Sequence, residues 1–458
     1  MRSMIDSPPS MAIEETSEES QRAPNLAQRG VAGLLVIWAH GAPACEALSL
    51  SNGELLLGRG VQEELFSDDE RVSREHCRLS FDGTLWTITD LASRNGTFLR
   101  GEAIEGARST LGQQLVLRVG RTLLWAVDDV RLYRSGVLLR ADGLVIGGSL
   151  RRAWAEIELA AHAGSTLCLR GESGAGKERA ARAFHEVLFP DRAAPFVGVN
   201  CAAIPEGLAE RLLFGAKRGA YSGAATDVQG YLQAAHRGTL FLDEIAELEA
   251  RTQAKLLRVL ETKEVLPLGA TRPEPVDLRI CVAAHADLRE EVTAGRFRED
   301  LYYRIGRPEV TVAPLRQRLD ELPWLLTTLL AAVNGELYPS VRLVEACATR
   351  PWPGNVRELS GEARRAAHRA LRLGKREVDA DELDQDAGLR LSDRLSGDAA
   401  DEPKGAAFPN DEQIERALVD CENNVTQAAR QLGLHRNQLR RWLAKRPVNS
   451  PAKPEDEE

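Results

Sequence analysis

A chain of 458 residues, 43% of them hydrophobic, has room for about three globular domains at the usual ~150 residues each. Its net charge of -9 excludes a protein that is basic over its whole surface, and no apolar run reaches the ~18 residues of a membrane-spanning helix. Seven cysteines (Cys45, Cys77, Cys168, Cys201, Cys281, Cys347 and Cys421) are scattered without a Cys-x-x-Cys pair, which predicts buried thiols in a reducing cytoplasm.

Residues 1–28 are acidic and lack an apolar stretch. They read as a disordered tail, neither a signal peptide nor a transit peptide. Residues 29–130 carry short strands separated by turn residues (LLLGRG, HCRLSF, LWTITDL, TFLRG, QQLVLRVG, TLLWAV), which predicts an all-β sandwich. From 144 to 305 apolar strands alternate with longer helical patterns, as in an α/β domain, and 306–385 is helical throughout. A polar linker spans 386–407, short helices occupy 408–446, and 447–458 is a charged tail.

The chemistry concentrates in the α/β part. Gly171, Glu172, Ser173, Gly174, Ala175, Gly176 and Lys177 form GxxxxGK between an apolar strand, Leu167–Arg170, and a helical pattern. In that setting backbone N–H groups and the helix N-terminus cradle phosphates while the lysine reaches the β and γ phosphates. Glu178 stands where the general motif has a hydroxyl ligand for magnesium. Gly238-Thr-Leu-Phe-Leu-Asp243-Glu244 is a strand ending in two carboxylates. Asp243 is read as the Mg2+ ligand and Glu244 as the group that polarises the attacking water on ATP. Arg298 and Arg304 lie six apart, and Arg357 opens the helix that starts at Trp352-Pro-Gly-Asn. Guanidinium groups suit the charge of a γ-phosphate.

These segments, with FVGVNCAAIPEGLAERLLFGAKRGAYSGA and FREDLYYRI, together resemble the AAA+ domain of bacterial enhancer-binding proteins, the activators of sigma-54 RNA polymerase. The match covers about 240 residues, and the family also carries Glu after the phosphate-loop Lys. The resemblance implies an ATPase ring, normally a hexamer, with ATP between subunits. It assigns Asn200 to restraining the catalytic glutamate, Arg298 and Arg304 to acting on a neighbour's ATP, and Arg357 to a second sensor. It aligns Gly219, Ala220, Tyr221, Ser222, Gly223 and Ala224 with the family's GAFTGA loop, which contacts sigma-54. One place departs: Ala284 and His285 stand where the first sensor usually reads Thr-Asn.

Two flanking segments complete the reading. Gly58-Arg59, Ser73-Arg74-Glu-His76 and Ser93-Arg-Asn95-Gly-Thr97 follow one another in the β-rich part. They resemble the forkhead-associated (FHA) domain, a phosphothreonine reader. Arg59, Ser73 and Arg74 offer donors to a phosphate, Asn95 a grip on the peptide backbone, and His76 an internal brace. From Asn424 to Arg446 no acidic residue occurs, and Thr426, Gly433 and the apolar positions predict two helices with a turn. This stretch resembles the Fis-type helix-turn-helix that closes the same family. Arg436, Asn437 and Arg440 are candidates for base edges, Arg441 and Lys445 for phosphates of enhancer DNA.

The expectation is a multidomain chain: an all-β FHA sandwich, an α/β AAA+ P-loop ATPase with a helical lid, and an all-α helix-turn-helix. It would be a cytoplasmic sigma-54-dependent activator without a membrane partner, responding to a phosphothreonine protein and an upstream Ser/Thr kinase. The alternatives are a DNA-bound phosphopeptide-responsive regulator or repressor with a weak ATPase, and a remodeller of a target other than sigma-54.

Overall fold

The computed structural model describes residues 30–50, 53–110, 115–164, 166–191, 193–205, 207–220 and 226–390, with 414 and 416. Apart from 414 and 416, the helices expected at 408–446, with all five DNA candidates, lie outside the described residues, as do Tyr221, Ser222, Gly223 and Ala224.

Alternating apolar positions fold the first part into two antiparallel sheets. The strands are β1 (Gly33–Ala39), β2 (Ala42–Ser49), β3 (Glu54–Leu57), β4 (Cys77–Phe81), β5 (Leu85–Asp90), β6 (Thr97–Leu99), β7 (Glu102–Ile104), β8 (Gly106–Thr110), β9 (Val116–Val119) and β10 (Thr122–Val127). One sheet has the order β2-β1-β10-β9-β6-β7, the other β3-β4-β5-β8. Leu34, Val36, Leu57, Leu79, Trp86, Ile88, Leu117 and Leu124 fill the space between them. Strand β1 is buried on both faces along its whole length. A sheet with one wet face would alternate apolar and polar residues. Here the opposite parity, Leu35 and Ile37 with Leu123 and Trp125, packs into one cluster with Leu322, Leu326, Val344 and Leu359 of the helical part. The sandwich therefore shares a core with the lid.

The central domain is a five-stranded parallel sheet. Its elements are α1 (Gly148–Ala163), β11 (Thr166–Arg170), α2 (Lys177–Leu188), β12 (Phe196–Asn200), β13 (Thr239–Asp243), α3 (Ala250–Thr262), β14 (Arg279–Ala284), α4 (Glu299–Ile305) and β15 (Glu309–Thr311). The sheet order is β12-β13-β14-β11-β15. Runs such as Leu240–Leu242 and Ile280–Ala284 are buried because helices cover both faces. This register sets Asn200 beside Asp243 and brings Leu242 beside Val282, so β12, β13 and β14 end together at one edge.

The α/β boundary expected at 305 is corrected by β15, whose Glu309–Thr311 pairs in parallel with Cys168–Arg170 of β11. Three residues are too few to show a strand period. The lid begins after this strand and holds α5 (Leu322–Ala331), α6 (Val341–Ala348) and α7 (Asn355–Arg372). Helix α7 buries Leu359, Ala363, Ala366, Ala367 and Ala370, a three-and-four spacing that makes one apolar stripe. Cys45, Cys77, Cys168, Cys201, Cys281 and Cys347 are free thiols. Among the described residues no helix is long and apolar enough to cross a membrane.

Candidate nucleotide site

The phosphate loop joins β11 to α2. Gly174 and Gly176 have φ of 73° and 110°, in the range that side chains other than glycine avoid. A Cβ on Gly174 would collide with the Gly354 carbonyl, while the side of Gly176 where a Cβ would stand is open. The loop is thus closed against the lid on one side and open on the other. The first backbone N–H groups of α2, from Lys177 onward, have no intrahelical acceptor, and such groups suit an anion. Lys177 is the first residue of α2 and is buried; its Nζ donates to the Gly171 carbonyl at 2.9 Å and lies 3.5 Å from Glu244 Oε1. Glu178 pairs with Arg182 at 2.9 Å, away from the loop.

Asp243 ends β13 and its Oδ1 accepts from the Glu244 N–H at 3.1 Å. Burial raises the Asp243 carboxyl above the ordinary range, with Glu244 adding to the rise and Lys177 opposing it. Glu244 has φ 53°, so a left-handed residue turns its side chain across the strand ends. Burial would raise its carboxyl too, but the His285 hydrogen bond and the Lys177 charge outweigh it and the net shift is downward. His285 Nδ1 lies 2.6 Å from Glu244 Oε2. Among the described residues Asn200 is exposed and its side chain makes no hydrogen bond.

The lid reaches the loop from the other side. Arg357 donates from Nη1 to Ser173 Oγ at 3.1 Å. Arg316 grips Glu172 with both nitrogens, at 2.8 and 2.6 Å, and this contact, outweighing burial, holds the Glu172 carboxyl below the usual range. Asn355, at φ 51° and fully buried, donates to Glu172 and to the Ser173 carbonyl and accepts from the Leu315 N–H. Sequence reasoning did not assign roles to Arg316 or Asn355; the only signal was a Gly-Asn pair ahead of a helix. It also missed a cavity of about 220 Å³ behind Ala175 and Gly176, lined by Leu144, Val145, Trp154, Leu325, Leu329 and Val356. Three distant segments build it, so no local motif announces it.

Arg298 and Arg304 are exposed and touch no part of this chain's phosphate loop among the described residues. Arg298 pairs with Asp300 through two bonds of 3.0 and 2.7 Å, and Arg304 donates to the Leu260 carbonyl at 3.1 Å. The loop carrying Gly219 and Ala220 is inserted between β12 and β13. Its neck is closed by Ala216 and Val228, which exchange bonds of 2.9 and 2.8 Å, and by Lys217 N–H to the Leu268 carbonyl at 2.9 Å. Both strands that flank this insertion end at the carboxylates.

In the sandwich, the Gly58–Gly60 turn is zipped to 73–76 by Arg59 N–H to Ser73 O and Gly60 N–H to Arg74 O, at 3.1 and 3.0 Å. A Cβ on Gly58 would meet the Arg74 carbonyl. His76 is fully buried; Nδ1 accepts from the Ser73 N–H at 3.0 Å and Nε2 donates to Gly96 O at 3.2 Å. Ser73 Oγ accepts from the Arg94 N–H at 3.1 Å, and Asn95 Nδ2 donates to Arg71 O at 2.8 Å. The Arg59 and Arg74 side chains are exposed and in no ion pair among the described residues.

A phosphate loop and strand-end carboxylates on one parallel sheet, with a lid arginine reaching the loop, define a P-loop domain of the AAA+ type. Residues 146–311 match the family described as Sigma-54 interaction domain, and 411–445 match Bacterial regulatory protein, Fis family. Residues 39–129 match Inner membrane component of T3SS, cytoplasmic domain. The chain is 38% identical to the response regulator protein PilR of Pseudomonas aeruginosa over 66% of this chain and 70% of the relative. It is 36% identical to the nitric oxide reductase transcription regulator NorR2 of Cupriavidus necator, over 80% and 77%. It is 41% identical to the hydrogenase transcriptional regulatory protein HoxA of the same organism, over 60% of this chain and only 58% of that relative. The chain belongs to the family of sigma-54-dependent transcriptional regulators.

Proposed function

We propose that this chain is a DNA-bound activator that hydrolyses ATP to remodel sigma-54 RNA polymerase, under the control of a phosphothreonine signal. The observation that carries the ATPase reading is the cluster of buried Lys177 with half-buried Asp243 and Glu244 at the phosphate loop, Lys177 Nζ lying 3.5 Å from Glu244. Lys177 would leave its loop carbonyls for the β and γ phosphates. Glu244 would take a proton from the water whose oxygen bonds to the γ-phosphorus, as the bond from that phosphorus to the β–γ bridging oxygen breaks. ADP and inorganic phosphate leave, and the proton passes on to phosphate. The cavity beside Ala175, mostly apolar but also lined by Arg179, Arg318 and Glu321, suits the base, and Arg357 would sense the phosphates from the lid.

Among the described residues no cluster of three or more His, Cys, Asp or Glu could hold a metal on its own. Magnesium needs no such cluster, since it binds through one or two carboxylates plus phosphate oxygens and waters. Asp243 would hold it, and when bound it supplies neutralisation of phosphate charge.

Arg298 and Arg304, exposed and away from their own loop, suit a neighbour's ATP, which supports a ring assembly, with six members as the number the family resemblance implies. The insertion Gly219–Ala224 would carry the change at the strand ends to sigma-54. The exposed Arg59 and Arg74 on a braced double loop, with Ser73 and Asn95, suit a phosphothreonine peptide, the FHA reading. The match to the Fis family supports enhancer DNA as the ligand of Arg436, Asn437, Arg440, Arg441 and Lys445.

Steady-state ATP hydrolysis by the full chain tests the core of this. Wild type should turn over, Glu244→Ala should bind ATP without turnover, and Lys177→Ala should lose binding. Absence of wild-type turnover would instead favour a DNA-bound regulator or repressor with a weak ATPase.

A further inference from the structure

His285 follows the last residue of β14 and departs from the Thr-Asn pair that the family resemblance leads one to expect. Its Nδ1 lies 2.6 Å from Glu244 Oε2, while Glu244 Oε1 lies 3.5 Å from Lys177 Nζ. Both carboxylate oxygens are therefore held, one on each side. Asn200 ends β12 beside Asp243 in register, yet its side chain makes no hydrogen bond among the described residues. Of the two polar residues at the ends of β12 and β14, it is the histidine and not Asn200 that holds Glu244.

We propose that His285 is the positioning residue of Glu244, and that it delivers through a ring nitrogen the contact an asparagine amide would make. The inference rests on Glu244 acting as the general base. Nδ1 is bonded directly to Cγ, as the amide nitrogen of asparagine is. The ring nitrogen and the asparagine amide therefore stand at the same distance from the backbone. A glutamine amide stands one carbon further out. A general base acts as the ionised carboxylate, which can only accept, so across the 2.6 Å contact it is Nδ1–H that donates. The left-handed backbone at Glu244, φ 53°, sends the side chain toward β14, where His285 is the residue that meets it. With Oε2 tethered, a phosphate that draws Lys177 away frees Oε1 alone. That oxygen stays over the phosphate loop, facing the water, and cannot swing into solvent.

The test is steady-state ATP hydrolysis by the full-length chain carrying His285→Ala, His285→Asn or His285→Gln, with Glu244→Gln as the control. Binding of a fluorescent ATP analogue is measured in parallel. Misplacing a general base costs catalysis and leaves ground-state binding alone. His285→Ala should lower kcat about 10- to 100-fold with KM and analogue binding within about twofold of wild type. His285→Asn should restore most of kcat and His285→Gln should not. Wild-type kcat in His285→Ala would overturn the proposal. So would a rise in KM alone, lost analogue binding, or equal activity in the Asn and Gln variants. If wild type turns over and Glu244→Gln is inactive, any of these results removes the role of His285 and leaves the ATPase reading standing. A wild type without turnover removes both.

Discussion

Removing Arg118 should loosen the sandwich and the lid together, although the residue belongs to the sandwich. Its Nε donates to Glu345 Oε2 at 2.6 Å across the seam, and its guanidinium lies 3.8 Å from the Phe98 ring centre. The Glu345 side chain is 7% exposed and that of Arg118 18%, so this is a largely buried pair. Deleting one partner of such a pair leaves an uncompensated buried charge and costs about 3–5 kcal/mol. The partial exposure of Arg118 places Arg118→Ala at the lower end, roughly 3 kcal/mol, with the lost ring contact of ~0.5–1 kcal/mol inside that figure. Replacing both partners by apolar groups of similar size, Arg118→Met with Glu345→Leu, should be close to neutral. Hydrogen exchange read by mass spectrometry follows each element separately. Arg118→Ala should speed exchange about a hundredfold in β1, β10 and α6, since ~1.4 kcal/mol is a factor of ten, and the double variant should return it toward wild type. Faster exchange in the sandwich with the lid unchanged would refute the shared core. So would a double variant as weak as the single one.

Three other outcomes follow from the same structure. Gly174→Ala meets both a left-handed φ of 73° and the Gly354 carbonyl, so ATP affinity measured by titration calorimetry should fall by at least about tenfold. Arg74→Ala should weaken binding of a phosphothreonine peptide by about 1.5–3 kcal/mol in calorimetry, and the unphosphorylated peptide should not bind measurably to either protein. Asp320 and Glu321 are buried with one guanidinium, Arg318, and burial pushes the Glu321 carboxyl up to about 7 from 4.5. The folded state then holds a proton that the unfolded chain has released, so stability falls as pH rises between about 4.5 and 7 and this group adds no further slope above that. Glu321→Gln removes the group, and the drop in melting temperature from about pH 5 to about pH 8 should be smaller than in wild type. An equal drop would assign the slope to other groups.

Much of the ATPase part is legible in the sequence because its chemistry is local. GxxxxGK between a strand and a helix, and two acids after an apolar strand, each sit within a few residues. The sandwich is legible too, since turn residues punctuate its strands. The shared core is not, because Arg118 and Glu345 stand 227 positions apart. A trace of it was present. The run Leu34-Leu-Val-Ile-Trp38 has no polar alternate, which a strand with one wet face requires, and so declares a covering partner without naming it. The clamp of Arg316 and Asn355 on Glu172 joins three segments, and no spacing rule connects them. His285 was visible as a departure from the family, but only the left-handed turn at Glu244 shows that its Nδ1 reaches the carboxylate. Strand β15 was missed because three residues carry no period.

The most direct measurement of the central claim is capture of sigma-54 by the full-length protein, with ATP held at its transition state by a metal-fluoride analogue, for wild type and Tyr221→Ala. The account predicts that wild type retains sigma-54 and that the variant, still hydrolysing ATP, does not. Wild type that hydrolyses ATP yet captures no sigma-54, or a variant that captures it equally well, would contradict the account and assign the loop to another target.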